Sequence, residues 1–145
     1  MKNEKEIILN KLLSKECIEF INKYDICSLI LFGSLNNGEF NDESDVDLAV
    51  ISHEKIDFDI ILDMELYFEK LLKREIDLID LKNDNLDLFV KINILNTGSV
   101  IYSTDNNLEL EILKNKVDKL YKENENFIYF RKRDLLSWIM KDLWR

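Results

Sequence analysis

The chain has no proline and only 3 glycines in 145 residues, so no Gly/Ser/Pro-rich linker divides it and no second domain is visible. Asn and Asp take over most turns, at Asn36-Asn37, Asn83-Asp84-Asn85 and Asp105-Asn106-Asn107. Two of the glycines, Gly33 and Gly38, fall in a single loop. Cys17 and Cys27 are the only cysteines and His53 the only histidine, which excludes a zinc site of Cys and His ligands within one chain. Any metal must be held by oxygen. Positive charge is also short, with 20 Lys+Arg against 29 Asp+Glu, a net −9 and a pI near 4.7. That balance excludes a protein that coats nucleic acid through surplus cations. Long apolar runs are missing too. Asn10, Lys11 and Lys15 interrupt the N-terminal apolar residues, so neither a signal peptide nor a membrane span is expected. The reading is cytoplasmic, with reduced thiols.

At 46% hydrophobic, 34% charged and 10% aromatic, the chain can build a core, and its length suits one domain over residues 1–145. Asn3 and Glu6 form a capping-box variant before a helix expected over about 4–23, followed by a short buried strand, Cys27 to Phe32, ending at Gly33. A second strand is predicted from Asp45 to Ile51, a helix between Ile56 and Lys73, and a third strand from Glu75 to Leu81. Asp84 to Asn96 reads as a helix with Gly98 as its stop signal, and Val100 to Tyr102 as at most an edge strand. Helices over Asp105 to about Asn124 and over Phe127 to Trp144 complete the order. The fold class is α/β (α+β): a small mixed sheet flanked by helices, with a core over about 24–103 and a helical extension over about 105–145.

Asp45 and Asp47 open the second strand two positions apart, so both carboxylates project from one face. Such a pair repels unless a cation sits between, and Mg²⁺ suits it, preferring oxygen ligands and completing its shell with substrate phosphate. Asp77 can join them if the third strand pairs beside the second; an acid buried among Ile76, Leu78 and Ile79 would need such a neutralising charge. Asp80 and Glu75 are its rivals, but Asp80 falls on the opposite face and Glu75 at the strand's entrance. Gly33 and Ser34 follow the first strand directly. A glycine there lets backbone N–H groups approach a phosphate, and a following helical turn would point at the same anion. Phosphate binding beside a two-metal carboxylate cluster is what in-line nucleotidyl transfer requires.

The segment Leu31-Phe32-Gly33-Ser34, ten residues, then Asp45-Val46-Asp47-Leu48-Ala49-Val50 resembles the G-S-x10-D-x-D signature of the DNA-polymerase-β-like nucleotidyltransferase superfamily. Small size, Ser44 before Asp45, the Glu75 to Leu81 strand and the Gly98 to Tyr102 segment resemble the minimal nucleotidyltransferases (MNT), often antitoxins of HEPN–MNT toxin–antitoxin pairs. The resemblance covers roughly residues 26–103. It implies a polymerase-β-like sheet, two Mg²⁺ ions held by Asp45, Asp47 and Asp77, and ATP phosphates bound by Gly33 and Ser34. It also implies that Asp77 helps deprotonate an acceptor, that AMP is transferred, and that the acceptor is a tyrosine hydroxyl on a HEPN toxin partner. The chain departs from the family at Leu35-Asn36-Asn37, where many relatives carry arginines that would sit beside a triphosphate.

Residues 1–113 hold 11 basic and 24 acidic side chains, net −13, whereas residues 114–145 are net +4. The basic end is either an ordinary solvated helix face or an arm toward phosphate or an acidic partner. In the last helix, Ile128, Leu135, Ile139 and Leu143 can face a core, leaving Phe127, Phe130, Trp138 and Trp144 for a second surface or for two-helix packing. That surface keeps open an antitoxin that occludes its partner without catalysis. Transfer to a small molecule such as an aminoglycoside is a third reading, ranked lower because residues 104–145 offer only two helices for a substrate domain.

Overall fold

The computed structural model describes residues 4–37, 45–125 and Arg133. Asn3, Ser44 and the predicted Phe127 to Trp144 helix with its aromatic surface lie outside the described residues, apart from Arg133. The chain falls into two compact units, residues 1–111 and 112–145.

Among the described residues the order is α1 (Glu4–Leu12), α2 (Lys15–Asn22), β1 (Ile26–Phe32), α3 (Ser34–Asn37), β2 (Val46–Ser52), α4 (Phe58–Leu72), β3 (Ile76–Asp80), α5 (Leu88–Thr97), β4 (Ser99–Ser103) and α6 (Leu108–Glu123). The single helix expected over 4–23 is therefore two. Ser14 breaks it: its hydroxyl donates to the Lys11 carbonyl at 2.7 Å and accepts from the Cys17 N–H at 3.3 Å, closing α1 and capping α2.

The strands form one mixed sheet in the order β3-β2-β1-β4. β1 runs antiparallel to β2 and to β4, while β2 and β3 are parallel. Side-chain alternation divides the sheet into two faces. On one, Leu29, Leu31, Leu48, Val50 and Leu78 join Ile8, Leu12, Cys17, Ile21, Met64 and Phe68 from α1, α2 and α4 in the main core. Burial pushes the Cys17 thiol up to about 12 and the Cys27 thiol to about 11, so both stay protonated and unreactive near neutral pH. The other face carries Ile30, Ala49 and Ile51 and, at the end where β1 stops and β2 starts, the acids. No helix among the described residues is long and apolar enough to cross a membrane.

The scarcity of glycine shows in the turns. Asp25, Lys73, Asn106 and Asn107 adopt positive φ of 55° to 65°, and Lys73 closes α4 by donating its N–H to the Glu69 carbonyl at 2.8 Å. Gly98 ends α5, as expected, donating its N–H to the Ile94 carbonyl at 2.8 Å. Its φ is −71°, which any residue adopts, but a Cβ there would lie 2.6 Å from Ile30 Cγ2 and 2.6 Å from the Ile94 carbonyl. Close packing, not a left-handed cap, requires that glycine.

Asp80 is buried and spends its carboxylate on backbone: Oδ2 accepts from the Ile56 N–H at 2.9 Å and Oδ1 from the Lys82 N–H at 3.0 Å. Asp80→Ala strands the Ile56 donor and is expected to cost about 1–3 kcal/mol of stability. Urea unfolding will read this as a lower midpoint at constant slope; an unmoved midpoint would show that these bonds contribute nothing. His53 lies on the surface, as expected, its Nδ1 3.2 Å from Glu109 Oε1. Lys82 Nζ donates to Glu109 Oε2 at 2.8 Å, and these two partners hold the Glu109 carboxyl below its ordinary range.

Candidate active site at the β1 and β2 strand ends

Cross-strand register assembles the site. Asp47 on β2 stands opposite Phe32 on β1 and, on its other side, opposite Asp77 on β3. Adjacent strands lie about 4.8 Å apart, so Asp47 and Asp77 are neighbours on one face. Asp45, two residues before Asp47 and just outside β2, adds a third carboxylate toward that face. Val46, between them, donates its N–H to the Glu75 carbonyl at 3.0 Å, tying the entrance of β2 to that of β3.

Asp47 is half-buried. Its carboxyl is pushed above the usual carboxylate range, first by burial, then by the charges of Asp77 and Asp45. None of the three acids has a hydrogen-bond or ion-pair partner among the described residues. Asp77 is exposed, which corrects the expectation that it is buried among Ile76, Leu78 and Ile79. It escapes burial because β3 is an edge strand and Asp77 projects from the face opposite Ile76 and Leu78. Asp80 is the buried acid of this strand, on the opposite face, as alternation requires.

Gly33 is shaped by the same acid. Its φ is +75°, and a Cβ built on it would fall 2.0 Å from Asp47 Oδ2 and 2.9 Å from Asp47 Cγ. The Asp47 carboxylate occupies the space that a side chain at 33 would fill. Ser34 follows as the first residue of α3, a single turn of four residues. Leu35 faces inward, 1% exposed, and the Asn36 amide donates from Nδ2 to the Thr97 carbonyl at 2.9 Å and accepts at Oδ1 from Ser99 Oγ at 2.8 Å. Sequence reading missed these roles for Leu35 and Asn36. Nothing local signals them, because Asn36's partners lie 61 and 63 residues away.

The donor set fits Mg²⁺ in chemistry: three carboxylates, all oxygen, whose mutual repulsion a divalent cation relieves. Among the described residues no three His, Cys, Asp or Glu side chains are gathered into a metal-ligand cluster, so the acids are neighbours rather than a closed cage. Open geometry suits an ion that takes one or two carboxylates and fills its shell with water and phosphate.

Known proteins resemble this chain in sequence and in fold. The profile of the family described as "Polymerase beta, Nucleotidyltransferase" matches residues 15–107, well over half of the chain. "Putative protein adenylyltransferase MJ0126" of Methanocaldococcus jannaschii is 33% identical over 86 residues, covering 59% of this chain and 87% of that protein. In fold, the chain is similar to one in a crystal structure of a toxin–antitoxin with AMP-PNP, at TM-score 0.72 and 19% identity, covering 88% of this chain and 98% of the other. It is also similar to a chain in a complex of tri-AMPylated Shewanella oneidensis HEPN toxin with MNT antitoxin, at TM-score 0.62 and 17% identity, covering 88% and 98%. The β-sheet with its acids at one end, the glycine turn fitted against Asp47 and the match over residues 15–107 agree: this chain belongs to the polymerase beta nucleotidyltransferase family and is a nucleotidyltransferase.

Proposed function

We propose that the protein transfers AMP from ATP, with Mg²⁺, to a tyrosine hydroxyl of a cognate HEPN toxin and thereby acts as its antitoxin. The observation that carries the transfer is the placement of Asp47 against Asp77 on one side and against the side-chain-free Gly33 on the other. Asp45, Asp47 and Asp77 would hold Mg²⁺, which would supply positive charge to the triphosphate. Gly33 and Ser34 would bind phosphates through the backbone and hydroxyl at the start of α3. Asp77, exposed at the edge of the sheet, would take the phenolic proton of the incoming acceptor. The phenolate oxygen then bonds to the α-phosphorus, the bond from that phosphorus to the bridging oxygen breaks, and pyrophosphate leaves. The choice of a protein acceptor is supported by the relative named as a protein adenylyltransferase and by the structural neighbour from a complex with an AMPylated HEPN toxin.

Intact-mass spectrometry of a co-expressed HEPN toxin partner tests the proposal, after incubation with the protein, ATP and Mg²⁺. One or more adenylyl increments, absent with Asp45→Ala/Asp47→Ala, are the expected result. No increment, or one that persists with the double variant, would sink it. Protection of cells by that double variant would instead favour neutralisation by occlusion.

A further inference from the structure

A four-residue helix cannot hold itself: one turn fixes several backbone dihedrals for a single hydrogen bond and is unfavourable alone. α3 must therefore be held by what it touches, and two residues do so. Leu35 is anchored in the protein interior. Asn36 closes a two-bond clamp, with its Nδ2 on the Thr97 carbonyl and its Oδ1 on Ser99 Oγ. Thr97 ends α5 and Ser99 begins β4, and between them Gly98 sits so close to Ile30 that it admits no side chain. Ser99 is in turn paired with Leu31 of β1. The far side of the clamp is thus fixed to the strand from which Gly33 and Ser34 emerge.

We infer that Asn36 is a positioning residue: its amide locks α3 onto the α5–β4 junction and so sets Gly33 and Ser34 to meet the nucleotide's phosphates. The inference rests on the role proposed above for Gly33 and Ser34. It also assigns a use to the Leu35-Asn36 stretch, which carries no cationic side chain. Leu35 and Asn36 fix the turn by packing and hydrogen bonding, and contribute no charge. The clamp is solvent-exposed, so it adds little to global stability, and its effect concentrates on the turn it holds.

The test compares the full-length protein with Asn36→Leu, which removes both bonds, and Ser99→Ala, which removes one, using ATP with Mg²⁺ as the probe. Asn36→Leu is expected to raise the Kd and KM for ATP about tenfold, with kcat changed less than about threefold and the melting temperature nearly unmoved. Ser99→Ala is expected to give a rise of about two- to fourfold. The double variant should be no worse than Asn36→Leu alone, because both act through one amide. Unchanged ATP affinity in a folded Asn36→Leu protein overturns the inference, as do effects of the two substitutions that simply multiply. If Asn36→Leu fails to fold, Ser99→Ala decides alone, and unchanged affinity there overturns it. A wild type that binds no ATP overturns the proposed function itself, and the clamp's role with it.

Discussion

Asp47→Asn is expected to lower nucleotidyl transfer by roughly 10³-fold or more, while the metal-free protein becomes more stable. The loss is large because a carboxylate that holds metal beside reacting phosphate supports several kcal/mol of transition-state charge stabilisation, and each 1.36 kcal/mol is tenfold in rate. The gain in stability has the opposite origin. Asp47 is half-buried and faces Asp77 across the parallel pair, with Asp45 two residues before it, and burial and these charges raise its carboxyl above the unfolded value. A carboxyl raised on folding favours the folded state below its unfolded value, near 3.8, and that contribution is lost as pH rises through the higher folded value. In EDTA the wild type should therefore lose this contribution across that window, and Asp47→Asn, neutral and nearly isosteric, should not. Mg²⁺ should raise the wild-type melting temperature at neutral pH and move the variant less. Transfer within tenfold of wild type in the asparagine variant would remove Asp47 from the site; a melting temperature that falls in EDTA would mean that its charge is compensated in solution.

Alternation alone put Asp45 and Asp47 on one face, because period 2 is a property of any strand and needs no partner. Placing Asp77 beside them required the pairing of β2 with β3, which alternation cannot give but which the structure supplies through the Asp47–Asp77 register. The same rule set Asp80 apart, and the structure shows its use, as acceptor for Ile56 and Lys82. Misreadings arose where a residue answers to something distant or to local hydrogen bonding. Apolar residues recur across Ser14 at helical spacing because Leu12 and Cys17 both reach one core, so the pattern continues while Ser14's hydroxyl ends the helix. Exposure of Asp77 follows from β3 lying at the sheet's edge, a topological fact. Gly98 is the helix stop that the sequence indicates, and what the sequence could not show is a second constraint on it, the packing against Ile30, 68 positions earlier in the chain. Asn36 gave no signal at all, since Thr97 and Ser99 become its neighbours only when β4 pairs with β1.

Gly33→Ala couples the fold of the turn to the chemistry of Asp47, and its effect separates into two parts. Positive φ at residue 33 strains any L-residue by about 1 kcal/mol. The added methyl also meets Asp47 Oδ2 at 2.0 Å, a separation no pair of atoms sustains, so the carboxylate must turn away or the turn must shift, at about 1–3 kcal/mol. Together these predict a loss of about 2–4 kcal/mol in stability and transfer as poor as that of Asp47→Asn, since the acid is driven from its place. The Asp47→Ala background tells the two parts apart. With Oδ2 and Cγ gone, the nearest remaining atom is Cβ at 3.1 Å, tight but tolerable, and the penalty of Gly33→Ala should shrink toward the backbone strain alone. A double-mutant cycle read by urea unfolding should therefore show a favourable coupling of about 1–2 kcal/mol. Strictly additive penalties would mean that the carboxylate does not occupy the space beside Gly33 in solution, and the pairing of glycine turn and metal-holding acid would fail with it.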